Sequence, residues 1–331
     1  MRRRKAIVGA ILGAAIAAGT MLAPAADAAP AQPVTNPVMW GIEAGSVAQD
    51  TATGQYAGLA PAIDSWFLSQ SASTASVTKM AAARQAGAVP MIAWSPEGNL
   101  TQIKNGQMDA QIISMAKSLA AYGHPFYFRP FAEFNTPWET YSLGKEGNTP
   151  QALYAAWRRV FRIFRQYTGS KSLFVWTVGY SGSITPLKTA WPGSDYVNYV
   201  GIDSYDWCTK PTWCPGDQYR YKTVLNALRA FDGGRPAVLA ETATGLQTAD
   251  KGKWLGAAFK TAQADHINAL VWFDEIVPNT TQPDWRLASP PSAQAGIQAA
   301  LRQPNIASPK YRSITTLETY AMTASWARAI R

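Results

Sequence analysis

Residues Phe126 to Trp138 read FYFRPFAEFNTPW. The stretch begins as an apolar, aromatic-rich run, which is typical of a buried parallel strand. It ends in polar residues, Arg129, Glu133 and Asn135, beside Trp138. A charge at the end of a buried strand costs free energy unless it is paired or used. Glu133 is therefore expected either to form a structural pair with Arg129 or to act in a functional site.

A second stretch has the same design. Residues Pro236 to Gly245 read PAVLAETATG, an apolar run that ends in one carboxylate, Glu241. Two strands that each deliver one Glu indicate the two-carboxylate chemistry of glycoside hydrolysis.

Eight apolar segments recur along the chain, and helical patterns separate most of them. The predicted strands are Val38–Glu43, Ser65–Leu68, Val89–Trp94, Phe126–Phe131, Leu173–Val178, Tyr199–Ile202, Pro236–Ala240 and Ala269–Phe273. The predicted helices are Ala75–Gln85, Met108–Ala121, Gln151–Gln166, Tyr221–Ala230, Lys253–Ala264 and a closing helix at Ser292–Arg302. The repeat of about 33 residues is typical of βα units. The sequence thus predicts an α/β fold, a single (β/α)8 TIM barrel over residues 38–302.

The two ends of the chain differ from the body. Residues 1–28 read as a secretory signal: Arg2 to Lys5 are basic, an apolar run follows, and Ala26-Asp27-Ala28 forms a small-residue cleavage site. The alternative is an uncleaved anchor, although the run is short for a membrane span. Residues 29–37 form a Pro/Ala linker, and residues 303–331 are expected to be a poorly ordered basic tail. We expect a secreted, extracellular monomer with no membrane contact after cleavage.

The net charge and the cysteine content restrict the kinds of partner and the compartment expected for this chain. Removing residues 1–28 lowers the net charge from +9 to +6, because four basic residues and Asp27 leave with them. Part of the remaining positive charge lies in the tail at residues 303–331. The charge of the body is therefore too small to indicate a nucleic-acid-binding surface. Cys208 and Cys214 are six residues apart in a chain predicted to be exported, which favours a loop-closing structural disulfide.

In a (β/α)8 barrel the site forms at the C-terminal ends of the strands. That rule selects Glu133, Glu241, Tyr205 and Asp203. Tyr205 is expected to hydrogen-bond a site carboxylate, with a buried core position as the alternative. Asp203 either contacts substrate or holds its loop. Three aromatic residues at or after strand ends are expected to line a substrate cleft: Trp94, Trp138 and Trp272. For Trp94 and Trp272 the alternative is a position in the barrel core.

Other catalytic classes fit less well. His124 and His266 precede strands and belong to the opposite face, which argues against a Ser-His-Asp hydrolase. Gly179-Tyr180-Ser181-Gly182-Ser183 resembles a nucleophile elbow but lacks the last Gly, and it is interpreted as a loop. No metal-binding or nucleotide-binding motif is present in the sequence, so neither a metal nor a cofactor is expected.

The motifs together resemble glycoside hydrolase family 26, which contains retaining β-mannanases and β-glucanases. The family's strand-four signature, R-P-F-H-E-x-N followed by Trp, stands here as Arg129-Pro130-Phe131-Ala132-Glu133-Phe134-Asn135 with Trp138. Further blocks that resemble the family are PGSDYVNYVGIDSY at Pro192–Tyr205, the strand at Arg235–Glu241, ALVWFD at Ala269–Asp274, and Asp284-Trp285-Arg286. The resemblance covers residues 38 to 302.

The resemblance implies Glu133 as the acid/base and Glu241 as the nucleophile. It also implies support from Arg129, Tyr205 and Asn135, and a sugar platform at Trp272. Ala132 departs from the pattern, because the family has His there. The expected substrate is a polysaccharide or oligosaccharide, with mannan, mixed-linkage glucan and xylan all open. The alternatives are a non-catalytic polysaccharide-binding protein on the same barrel and, third, a serine esterase.

Overall fold

The computed structural model describes residues 37–68, 74–209, 220–303, 305–310 and 312–326. The predicted signal and almost all of the linker lie outside these ranges. The strands are β1 (Val38–Glu43), β2 (Ile63–Leu68), β3 (Val89–Trp94), β4 (Phe126–Pro130), β5 (Ser172–Gly179), β6 (Tyr199–Asp206), β7 (Ala237–Thr244), β8 (Ile267–Phe273) and β9 (Ile306–Ala307). The helices are α1 (Val47–Ala57), α2 (Thr74–Gln85), α3 (Leu100–Lys104), α4 (Asp109–Ala120), α5 (Pro150–Thr168), α6 (Leu187–Ala190), α7 (Tyr221–Arg229), α8 (Asp250–Ala264), α9 (Gln294–Ala300) and α10 (Ile314–Trp326).

Strands β1 to β8 form a closed parallel barrel. Each strand pairs with the next, and β1 closes the ring by pairing with both β8 and β2. The predicted (β/α)8 barrel is confirmed, and each of the eight predicted strands is present. No helix among the described residues is long and apolar enough to cross a membrane.

Alternation along each strand separates two apolar layers. In β4, Tyr127 packs with other inward-facing residues inside the barrel, whereas Phe128 faces outward and stacks on Phe164 of α5 at 4.3 Å between ring centroids. Inward and outward side chains alternate because successive residues of a strand point to opposite faces. Arg129 follows Phe128 and therefore lies on the inner side, near the top of the barrel.

The prediction of a poorly ordered tail is wrong for residues 305–310 and 312–326. β9 pairs with the start of β1, and α10 packs Leu317 and Ala321 against the interior residues of the barrel. The Tyr199 hydroxyl donates to the Ala321 carbonyl, and the Tyr320 hydroxyl donates to the Pro37 carbonyl at 2.6 Å. The sequence of this segment gives little apolar signal because few of its side chains meet the barrel, yet those few cover the N-terminal end of the barrel. The barrel unit therefore extends beyond the predicted boundary at residue 302.

Three further helices were not predicted: α1, α3 and α6. In α1 the buried residues are Asp50, Thr53, Gly54 and Ala57, which are small or polar. Such a helix has no apolar stripe, so hydrophobic periodicity cannot reveal it.

The packing of α10 predicts the cost of truncating one side chain. Leu317 is fully buried, so Leu317→Ala should lower the free energy of unfolding by about 3 kcal/mol through lost burial and a residual cavity. Thr315→Ala, at an exposed position of the same helix, is the control and should change it by less than about 0.5 kcal/mol. Urea unfolding measures both, and equal effects would show that α10 does not pack as described.

Candidate active site

A cavity of about 400 Å³ opens at the C-terminal ends of the strands. Both predicted carboxylates, Glu133 and Glu241, lie in its wall. The remaining lining residues come from five strand ends and the loops that follow them: Phe67, Trp138, Tyr180, Ser181, Tyr205, Trp207, Phe273, Val277 and Gln282. The chain thus brings its two candidate catalytic carboxylates together at the end of the barrel where such sites form.

Arg129 is a fully buried cation that joins three strands. One terminal nitrogen of its guanidinium donates to Asp203 Oδ2 at 2.6 Å and to Glu241 Oε1 at 2.9 Å. Its Nε donates to the Thr177 hydroxyl at 3.3 Å. A buried charge is tolerated when it is paired and hydrogen-bonded in this way. The guanidinium therefore fixes the positions of both carboxylates.

Glu241 is held at both oxygens. An irregular register places it opposite Asp203, whereas Leu239 is opposite Ile202, so one extra residue enters β7 at this point. Its Oε2 accepts a hydrogen bond from the Tyr205 hydroxyl at 2.6 Å, and its Oε1 accepts the bond from Arg129. Donors at both oxygens favour the charged form of a carboxylate and fix its orientation.

Tyr205 remains a donor in this arrangement. Burial, and then the charge of Glu241, raise the pKa of Tyr205 well above its ordinary value, so the phenol keeps its proton. The predicted hydrogen bond between Tyr205 and a site carboxylate is present.

Glu133 enters the cavity from an unusual backbone turn after β4. Phe131 and Glu133 have φ values of 56° and 58°, in the left-handed region that non-glycine residues rarely adopt. Gly179 makes room for the side chain, because a Cβ on Gly179 would lie 2.8 Å from Glu133 Oε1. Such strain is found where the surrounding structure requires one side-chain direction. Here it points Glu133 toward the cavity.

The surroundings of Glu133 favour the protonated form of its carboxyl group. Burial, followed by the charge of Glu241, raises the pKa of Glu133 to about 8. The Trp138 indole N–H donates to Glu133 Oε2 at 2.7 Å and, with the charge of Arg129, opposes this shift. Glu133 is thus protonated at neutral pH while remaining fixed by a hydrogen bond.

A third carboxyl group lies beside the pair. Glu43, the last residue of β1, is buried, and its Oε2 accepts a hydrogen bond from the Ser65 hydroxyl at 2.8 Å. Burial, and then the charge of Glu241, raise the pKa of Glu43 to about 8. Its position at a strand end was visible in the sequence, but its involvement in the charge cluster was not.

The predicted role of Asp203 needs correction, whereas the supporting role predicted for Asn135 is given its contacts by the structure. Asp203 is fully buried and paired with Arg129, so the prediction that it contacts substrate is wrong. The Asn135 side chain accepts from the Gly179 N–H and donates to the Gly179 carbonyl, each at 2.9 Å. It supports the loop that carries Glu133 and touches neither carboxylate.

The prediction that Trp94 and Trp272 line the cleft is also wrong. Both indoles are fully buried. Trp94 packs against Phe128 and Phe131, and Trp272 meets Trp254 of α8 edge to face. Because strand residues alternate, these two side chains face the helices rather than the cavity.

Exposed aromatic residues at the cavity come from other positions. Phe67, Trp138 and Trp207 are 52%, 54% and 43% exposed. The sequence had pointed to Trp138, whereas Phe67 and Tyr180 were missed. Both stand at or just after a strand end, so the rule that selected Glu133 and Glu241 would have found them.

Two remaining predictions concern histidine and cysteine. His124 lies 3.9 Å from Glu318 of α10, at the opposite end of the barrel, and His266 precedes β8. Ser181 therefore has no histidine partner, and the serine-hydrolase alternative fails because its base is a histidine. Cys208 is buried. Its predicted partner Cys214 lies outside the described residues, so the disulfide stays a prediction. Within the described ranges, no group of three or more His, Cys, Asp or Glu could hold a metal ion.

Comparison with known proteins agrees with this geometry. Residues 41–229 match the sequence model of glycosyl hydrolase family 26. The chain belongs to glycosyl hydrolase family 26. It is 32% identical over 227 residues to endoglucanase H of Acetivibrio thermocellus and 30% identical over 115 residues to the β-1,3-xylanase TXYA of a Vibrio species. These matches cover 65% and 34% of the chain but only 24% and 23% of the length of the two relatives.

Solved structures of β-mannanases share the fold. An endo-β-1,4-mannanase of Cellulomonas fimi matches with a TM-score of 0.65 at 15% identity, covering 86% of this chain and 74% of that one. A family 26 β-mannanase of Bacteroides ovatus matches with a TM-score of 0.63 at 14% identity, covering 83% of this chain and 91% of that one. The match of residues 41–229 to the family model confirms the predicted family resemblance, and the solved structures agree with the fold.

The buried Arg129 cluster predicts a large stability effect. Arg129→Met should lower the free energy of unfolding at pH 7 by about 3–5 kcal/mol, because Asp203 and Glu241 lose their counter-charge. Adding Asp203→Leu should restore part of that loss by removing one unpaired carboxylate. Arg159→Met breaks a partly exposed pair with Asp109 and should cost about 1 kcal/mol or less. Chemical unfolding measures all three, and similar costs for the two Arg variants would contradict the cluster.

Proposed function

We propose that this chain is a secreted, retaining, endo-acting glycoside hydrolase that cleaves a β-linked plant-type polysaccharide. The observation that carries the proposal is that two carboxyl groups in one cavity have different hydrogen-bond donors and different burial. Donors on both oxygens of Glu241 favour its charged form, whereas burial and the charge of Glu241 keep Glu133 protonated. Such divergence distinguishes a nucleophile from a general acid.

The reaction follows from these two states. Glu241 attacks the anomeric carbon and forms a covalent ester, while Glu133 transfers its proton to the departing glycosidic oxygen. Loss of the first sugar chain leaves Glu133 ionised. Glu133 then takes a proton from water, the water oxygen attacks the anomeric carbon, and Glu241 departs as a carboxylate. Both groups return to their starting states.

The cavity wall supports a sugar polymer as substrate. Phe67, Trp138, Tyr180 and Trp207 present aromatic surface around the two carboxyl groups. Aromatic faces place sugar rings by stacking and apolar burial, while the polar edges remain free for hydrogen bonds. The relatives named above include an endoglucanase, a β-1,3-xylanase and two β-mannanases. We therefore propose β-mannan or β-1,3-1,4-glucan as substrate, with xylan as the comparison polymer.

Ala132 motivates a second candidate, a polysaccharide-binding protein without turnover. Ala132 takes the place of a histidine beside the acid/base. Its carbonyl accepts a hydrogen bond from Tyr141 at 2.8 Å, and Trp138 supplies a hydrogen bond to Glu133. These contacts hold the acid/base without a histidine, which favours the catalytic proposal over the binding-only one.

Export is part of the proposal. It rests on the basic and apolar segments of residues 1–28 and on the small-residue site ending at Ala28. N-terminal sequencing of exported protein should begin at Ala29, and an intact Met1 would contradict cleavage.

Substitution of the two Glu residues tests the catalytic proposal. Glu241→Ala should reduce release of reducing ends from the preferred polymer by at least about 10³-fold, because no covalent intermediate forms. Glu133→Ala should slow the polymer by about 10²–10⁴-fold but partly spare aryl glycosides with acidic leaving groups, which need no proton. Glu146→Gln, at an exposed carboxylate in the loop after β4, is the control and should remain fully active.

The assay uses β-mannan, mixed-linkage β-glucan, β-1,4-xylan and β-1,3-xylan. Full activity of Glu241→Ala would overturn the mechanism. Binding to one polymer without turnover of any would support the binding-only alternative.

Trp138 makes a pH prediction. Glu133 acts as an acid when protonated, so activity falls as pH rises through its pKa, raised to about 8. The Trp138 hydrogen bond lowers that pKa. Trp138→Phe removes the donor, so the alkaline limb of kcat/KM should move to higher pH. Trp207→Phe alters a cavity aromatic without this bond and should leave the limb in place; a shift to lower pH in Trp138→Phe would contradict the assignment.

A further inference from the structure

The Asp284-Trp285-Arg286 motif packs against Tyr205, the residue whose hydroxyl donates to the proposed nucleophile Glu241. Trp285 is fully buried. Its ring centroid lies 5.0 Å from that of Tyr205 and 5.2 Å from that of Trp207. Phe273 meets the Tyr205 ring at 5.8 Å, edge to face. The phenol that donates to Glu241 is thus placed by aromatic packing, and Trp285 forms one wall of it.

The turn that carries Trp285 is held through its backbone. The Trp272 indole donates to the Trp285 carbonyl at 3.0 Å, and the Trp285 N–H donates to the Glu275 carbonyl at 3.2 Å. The Asp274 carboxylate accepts from the Leu287 N–H and, at 2.5 Å, from the Thr53 hydroxyl. This explains why Trp272 is buried: its indole holds the turn.

The Lys251 ammonium group also binds the turn that carries Trp285. This α8 residue is fully buried, and its ammonium donates to the Arg286 carbonyl at 2.7 Å and to the Ser289 carbonyl. The charged groups that face it are Asp284, Asp274 and Arg286. Burial lowers the pKa of Lys251 to about 8, while the two carboxylates oppose that shift. Burying an ammonium costs free energy, and an apolar residue would have avoided the cost but could not bind two carbonyls.

We propose that Lys251 is a positioning residue of the reaction: by fixing the turn at residues 284–289 it holds Trp285 against Tyr205 and so keeps the phenol on Glu241. The inference rests on the proposed function, since Tyr205 and Glu241 act in the reaction described above. Lys251 itself touches neither substrate nor carboxylate. Its effect is therefore expected to pass through Tyr205 and to vanish when Tyr205 can no longer donate.

A double-mutant cycle tests that route. Lys251→Met removes the ammonium and keeps the length of the side chain, and Tyr205→Phe removes the hydroxyl. Lys251→Met alone should lower kcat about tenfold, the size of one hydrogen bond to a charged group, with less than about twofold change in KM.

In the Tyr205→Phe background the same substitution should change kcat by less than about twofold. Equal reductions of kcat in both backgrounds would overturn the inference and leave Lys251 a purely structural residue. Lys253→Met is the matched control, because Lys253 lies on the same helix with its side chain 72% exposed. It should behave as wild type.

Two further measurements keep the inference testable. If Lys251→Met does not fold, Trp285→Phe enters the same cycle, since it trims the wall behind Tyr205 and keeps an aromatic ring. Near-UV circular dichroism reports the packing of the aromatic side chains, Trp285 and Trp207 among them, independently of activity. Lys251→Met should reduce that signal while Lys253→Met preserves it; an unchanged signal in Lys251→Met overturns the inference. Absence of turnover by the wild-type chain, by contrast, would count against the proposed function alone.

Discussion

The buried guanidinium of Arg129 is the interaction on which the rest of the site depends. It lies inside the barrel without solvent contact, and it pairs with Asp203 and Glu241 from two other strands. A buried guanidinium is tolerated only when carboxylates and hydrogen-bond acceptors surround it. Arg129 and its two carboxylate partners therefore hold each other in position. The ends of β4, β6 and β7 are thereby held in one arrangement, and the position of the proposed nucleophile follows from it.

Charge balance around that ion explains how two similar side chains acquire different properties. Glu241 accepts hydrogen bonds from Arg129 and Tyr205. Glu133 lies on a strained turn and, among the described residues, has the Trp138 indole as its one hydrogen-bond donor. Glu43 adds a third carboxyl group, whose pKa is raised to about 8 by burial and then by Glu241. One guanidinium cannot balance several ionised carboxylates in a low-dielectric interior. Protons are therefore retained on Glu133 and Glu43, which accept fewer hydrogen bonds, whereas Glu241 is the carboxylate with donors on both oxygens.

The barrel and the catalytic pair could be predicted because both depend on local patterns. Apolar runs mark parallel strands, and a carboxylate that ends such a run belongs to the active-site end of a barrel. The errors arose where the outcome depends on a side chain's direction or on remote packing. Trp94 and Trp272 lie at strand ends, as the candidate site residues do, but their side chains face the helices. Asp203 faces inward, but its carboxylate is paired with Arg129 and is not available to a substrate. α10 was missed because its apolar contacts are few and its partners, such as Tyr199, lie more than a hundred residues away in the sequence. α1 buries polar and small residues, which no hydrophobic period reveals.

The anomeric configuration of the first product tests the central claim most directly, because a covalent intermediate on Glu241 requires two successive inversions at the same carbon. Proton NMR during hydrolysis of the preferred β-linked polymer, recorded before mutarotation, distinguishes the two outcomes. The account predicts that the β-anomer of the new reducing end appears first and the α-anomer grows in later. Initial release of the α-anomer would show that water attacks directly, and it would contradict the assignment of Glu241 as a nucleophile held in place by Arg129 and Tyr205.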